Sequence, residues 1–140
     1  MKHLFYLCEK VSFMTYEQIL SDIKKKVYYP IYFLFCVVLS LIVTINDELE
    51  HNILDESERS FNQIVLYGSD VTAKDIMTQA RTYPMMGDYM VVIVKEAQNV
   101  KDIESLADYL DKMPSTTILV INYKYKKLDK RKALAKYIDK

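Results

Sequence analysis

A chain of 140 residues, 51% of them hydrophobic, can bury a single core, and so apolar a composition excludes a disordered chain. Basic and acidic residues number 19 each, so no net field gathers nucleic acid or anionic lipid, and any such affinity falls to a local patch. Cys8 and Cys36 are too few for a disulfide framework and fit a reducing compartment.

Within residues 1–13 the apolar run Leu4 to Cys8 is cut short by Glu9 and Lys10, too early for a signal-peptide core. Met14 precedes Thr15, a helix cap with Gln18 three residues on, as a capping box requires. We therefore read Met14 as the natural start of translation, residues 1–13 as an extension, and 14–140 as one domain. A native product whose intact mass begins before Met14 counts against this.

Next, Val27 to Ile45 carries no charge and is about as long as a bilayer core requires, with Lys24, Lys25 and Lys26 before it and Asp47 and Glu48 after it. That is one reading, a membrane span at 27–45. The other starts from Pro30 and the β-prone run Ile31 to Phe35, a buried strand followed by a helix from about Ser40. Its apolar positions Leu41, Ile45, Leu49 and Ile53 recur well past the charged residues. The residues of this segment leave both open. Asp55 to Glu58 then reads as the exit of that helix into a loop.

Phe61 to Tyr67 is a β-rich run closed by Gly68, and Met90 to Val94 is a continuous apolar run suited to a strand buried on both faces. Between them Val71 to Arg81 spaces Val71, Ile76, Met77 and Ala80 as a helix does. Asn99 to Met113 sets Val100, Ile103, Leu106, Ala107 and Leu110 on one face of an amphipathic helix, Pro114 stops it, and Thr116 to Asn122 follows as another buried strand. Strands alternating with helices predict an α/β fold with a mostly parallel sheet of about four strands, covered on both faces. The closing segment from Tyr123 is basic. Its structural reading is a solvated helix face; its functional reading is a phosphate-binding patch of Lys126, Lys127, Lys130, Arg131 and Lys132.

The residues offer little chemistry. Gly68 and Gly87 are the only glycines, so neither a phosphate-cradling loop nor a dinucleotide fingerprint can be assembled. His3 and His51 are far apart, no cysteine and histidine spacing suits a metal, and Asp55, Glu56, Glu58, Asp70 and Asp75 read as caps and solvated faces. No catalytic residue, metal or cofactor is expected. The functional weight falls on Tyr83-Pro84-Met85-Met86-Gly87-Asp88, between helix and strand. Pro84 and Gly87-Asp88 favour a protruding corner that offers two methionines to a partner, while the opposite placement folds both methionines back as core fillers.

Ser60-Phe61-Asn62-Gln63, Leu66-Tyr67-Gly68, Ala80-Arg81 through Pro84-Met85-Met86, Val91 to Gln98, and Leu128-Asp129-Lys130-Arg131-Lys132 together resemble the amino-terminal domain of the bacterial DNA polymerase III delta subunit, in its Bacteroides-type branch. The resemblance runs from about Met14 to Asp139. It implies a RecA-like AAA+ three-layer α/β domain without a phosphate-binding loop and without its own ATPase activity. The domain would be cytoplasmic and part of the clamp loader of the polymerase holoenzyme. The implied partners are the sliding clamp (the beta subunit), the other loader subunits and DNA through the complex, with no membrane. By position, Pro84, Met85 and Met86 are implied to enter an apolar pocket on the clamp.

The chain departs from that family over Cys36 to Val43, where relatives carry a glycine-containing, acidic turn; a local double frameshift in the coding sequence leaves such a pattern, and genomic reads across these codons test it. A full delta subunit continues well beyond Lys140, so the resemblance also implies a piece of a longer architecture. Two other classes remain distinct. A membrane-anchored protein would pellet with membranes through 27–45, and a nucleic-acid module would bind in a salt-sensitive way through its basic segment.

Overall fold

Five parallel strands form one sheet in the computed structural model, which describes residues 4–7, 16–36 and 39–124. The chain runs β1 (Leu4–Leu7), α1 (Tyr16–Lys24), β2 (Ile31–Cys36), α2 (Leu39–Asn52), α3 (Glu56–Asn62), β3 (Gln63–Tyr67), α4 (Ala73–Ala80), β4 (Met90–Lys95), three 3-10 turns between Ala97 and Lys112, and β5 (Thr117–Lys124). Across the sheet the order is β1-β2-β5-β4-β3. The connection after β2 crosses to the far edge, and β4 and β5 then fill inward.

Both faces are covered, which is why the central strands read as unbroken apolar runs. In β4, Met90, Val92 and Val94 join Ile76, Met77 and Leu106 on one side. Val91 and Ile93 join Ile19, Ile45 and Leu49 from α1 and α2 on the other. The period-two alternation of side chains thus feeds two core layers from a single strand. Gly68 closes β3 against β4: its N–H donates to the Lys95 carbonyl at 2.8 Å, and a Cβ there would overlap the Glu96 carbonyl.

Several expectations need correction. The sheet has five strands rather than four, because Leu4–Leu7, within the segment set apart as an extension, pairs in parallel with β2 from Leu4 opposite Tyr32 to Leu7 opposite Phe35. Phe61 and Asn62 end a helix instead of opening a strand, and Asp55 to Glu58 begins that helix: the Asp55 N–H donates to Glu58 Oε2 at 3.4 Å in a capping box. Asn99 to Met113 forms short 3-10 turns, not one α-helix. Buried Val100, Ile103 and Leu106 recur every third residue, the 3-10 period, so these turns bury the same residues that suggested an α-helix.

The uncharged run at 27–45 divides between β2 and the start of α2, where Ile42 and Ile45 are buried in the core. No helix among the described residues is long and apolar enough to cross a membrane. The Thr15 cap and the basic residues Lys126, Lys127, Lys130, Arg131 and Lys132 lie outside the described residues.

Candidate protein-docking corner

Helix α4 begins with a tight reciprocal cap. Thr72 Oγ1 accepts from the Asp75 N–H at 3.3 Å, and Asp75 Oδ2 accepts from the Thr72 N–H at 2.9 Å and its hydroxyl at 3.1 Å. The Thr72 backbone and hydroxyl donors hold the Asp75 carboxyl below its ordinary value. At the other end the Arg81 and Thr82 amides donate to the Met77 and Gln79 carbonyls, and the Arg81 guanidinium lies 5.6 Å over the Tyr109 ring. At the amino end the Ala73 N–H donates to Asp102 Oδ1 at 3.0 Å, so both ends of the helix are fixed to the body before the chain turns out at Tyr83.

From Tyr83 to Asp88 the chain stands off the amino end of β4, returning where the Met90 N–H donates to the Thr116 carbonyl at 2.9 Å. Of the two placements open for the methionines, the structure has the exposed one. Met85 is 65% exposed and Met86 fully so at 101%, with Tyr83 at 69% beside them and Pro84 half-buried. Side chains this large and apolar, gathered on one corner, make it the candidate contact surface.

The corner rests on the last turn of α3. The Met85 N–H donates to Asn62 Oδ1 at 2.6 Å, and Asn62 Nδ2 donates to the Met85 carbonyl at 2.9 Å. Asn62 itself is 1% exposed. Gly87 packs against the same support, since a Cβ there would lie 2.9 Å from Asn62 Nδ2 and 3.0 Å from Glu58 Oε1. Between these two anchors Met86 adopts φ 58°, the left-handed region that L side chains rarely enter. Phe61, next to Asn62, is also largely exposed.

Asn62 and Gly87 were missed as site residues by sequence reasoning. The available signal was an asparagine, a residue depleted in strands, inside a run read as strand.

Nearby, Tyr89 leads into a cleft of about 300 Å³ that it walls with Tyr28, Tyr29, Pro30, Met113 and Pro114. Tyr28 and Tyr89 meet edge to face at 5.7 Å. Elsewhere His51 is exposed, with Nδ1 2.9 Å from the Asp47 carbonyl of its own helix. Among the described residues no three histidine, cysteine or acidic side chains gather where they could hold a metal.

A doubly covered parallel sheet defines an α/β domain, and among the described residues its most exposed apolar side chains include those of the pinned corner. The chain belongs to the family described as DNA polymerase III, delta subunit, whose model matches residues 32–140. It is 26% identical over 130 residues to the DNA polymerase III subunit delta of Bacillus subtilis, a match covering 86% of this chain and 38% of that protein. Its fold is similar to that of the solved Bacillus subtilis DNA clamp loader delta protein, with a TM-score of 0.79 at 24% identity over 90% of this chain and 40% of the other. The chain thus spans about two-fifths of the length of these relatives.

Proposed function

We propose that this chain is the clamp-docking domain of a clamp-loader delta subunit, and that Pro84, Met85 and Met86 form its contact with the DNA sliding clamp. The observation that carries this is Met86, fully exposed on a corner whose backbone is held from beneath. Two thioether side chains can shape themselves to an apolar pocket, as a small hot spot does, and Pro84 limits the freedom of the chain leading into them. Docking helps open the clamp if the domain binds an open or strained interface better than a closed one, because a ligand shifts an equilibrium only by its differential affinity. The domain needs no catalytic group for this. In this reading it works in the cytoplasm with other loader subunits and meets DNA through the assembled complex.

The test is surface plasmon resonance of the chain on the sliding clamp of the same organism, with Met85→Ala/Met86→Ala as the paired variant. Saturable binding that weakens at least about 30-fold in the double variant supports the reading. No binding by a folded wild-type chain overturns it.

A further inference from the structure

We propose that Asn62 is the positioning residue of this contact: its buried amide fixes the Met85 backbone and so aims both methionines before any partner arrives. The inference rests on the docking reading above and adds to it a residue that is itself out of reach of a partner.

An exposed corner bearing two flexible side chains loses conformational freedom when it docks, and that loss opposes binding unless the corner is already ordered. Asn62 supplies the order in an economical way. One side-chain amide has one acceptor and one donor group, and both are used on the two main-chain groups of a single residue, at 2.6 and 2.9 Å. Such a pair fixes the orientation of the Met85 peptide groups as a strand partner does. Because the amide is 1% exposed, water does not compete for it.

At the second anchor, Gly87, an added Cβ would lie 2.9 Å from Asn62 Nδ2 and 3.0 Å from Glu58 Oε1, so a larger residue must displace the side chains that support the corner. Met86 is therefore held from both neighbours in its left-handed conformation, which a free chain seldom populates. Strain confined to the tip and imposed by two flanking anchors is what a preorganised contact requires.

The test compares the wild-type chain, Asn62→Ala, Met86→Ala and the combined variant by clamp binding and by thermal melting, together with hydrogen exchange at the Met85 amide. Asn62→Ala is expected to weaken clamp binding about tenfold while the chain stays folded, a loss of preorganisation on the order of 1.4 kcal/mol. In the Met86→Ala background the same change costs clearly less, because the side chain being aimed has gone. The Met85 amide, protected in the wild type, exchanges faster without Asn62.

An equal loss in both backgrounds, or unchanged affinity in a folded Asn62→Ala chain, overturns the proposal. If Asn62→Ala does not fold, Gly87→Ala loosens the same lock from the other side and is read identically. If the wild-type chain does not bind the clamp, the docking reading fails; Met85 exchange then still separates a corner locked by Asn62 from one that was never held.

Discussion

Thr117 Oγ1 donates to the Ala80 carbonyl at 2.6 Å, and both residues are fully buried. One bond thereby ties the last turn of α4 to the first residue of β5, across 37 positions of sequence. Carbonyls at a helix end have no partner within the helix, and a buried one must find another. Thr117→Val keeps the shape and removes the donor, so the Ala80 carbonyl is left unsatisfied. We expect a loss of about 1–3 kcal/mol, seen as a lower urea midpoint at unchanged slope. Thr117→Ser keeps the hydroxyl and should retain the bond; a valine variant as stable as the wild type would remove this contact from the account.

A second polar tie crosses the other core layer. Asn122 Nδ2 in β5 donates to Asn46 Oδ1 in α2 at 2.6 Å, and Asn46 Nδ2 donates to Glu50 Oε2 at 3.1 Å, which in turn meets Lys95 at 3.3 Å. Among the described residues Asn122 Oδ1 has no partner, so the amide is only half satisfied there. Asn46→Ala strands the remaining donor and should cost about 1–3 kcal/mol. Asn122→Ala in that background removes the stranded group, so the double variant should be less destabilised than the sum of the singles. Additive values in the cycle, measured by denaturant unfolding, would show the two amides to be independent.

Alkaline pH should act through Tyr32. Burial pushes its phenol well above the ordinary value of 10, a shift partly offset by the hydrogen bond that its oxygen accepts from the Tyr29 N–H at 3.2 Å. A folded-state value above the unfolded one means that the stabilising contribution is complete below pH 10 and is lost as pH rises through 10 towards the folded value. Burial raises Tyr28 and Tyr123 in the same direction. Unfolding free energy should therefore begin to fall near pH 10 and keep falling above it, towards the folded value. Tyr32→Phe should flatten part of that slope, at the expense of a pH-independent loss from the Tyr29 amide. Denaturant midpoints at pH 8, 10 and 11 give the comparison, and parallel slopes in the two proteins would dismiss Tyr32 as the cause.

What could be read from the chain follows from how local each signal is. Met90 to Val94 needed only its own five apolar residues to announce a strand buried on both faces, and Val71 to Arg81 only its spacing, to place a helix over α4. For Met85 and Met86, the neighbours Pro84 and Gly87 favoured a protruding corner but left the core placement open, and only the structure decided between them.

Asn62 gave only the weak sign of an asparagine inside a strand-like run from Phe61 to Tyr67, because its partner lies 23 residues away. Tertiary packing turned Phe61 and Asn62 into the end of a helix, and that overrode propensity. The spatial order of the strands was equally hidden, since alternation predicts a parallel sheet but not which strand crosses to which edge.

Met86 separates stability from binding more cleanly than any other residue of the corner. Its φ of 58° costs an L residue on the order of 1 kcal/mol, and glycine escapes that cost while losing slightly more chain entropy on folding. Met86→Gly should thus leave the melting temperature unchanged or raise it. The same change deletes the most exposed apolar side chain among the described residues and should weaken clamp binding at least about tenfold. Met86→Leu, of similar volume but with a branched side chain that tolerates the left-handed region no better, should keep stability near wild type and retain most of the binding. If glycine weakens the fold as well as the contact, the left-handed turn is not a strained one. If it leaves clamp binding intact, Met86 does not reach the pocket and Met85 carries the contact alone.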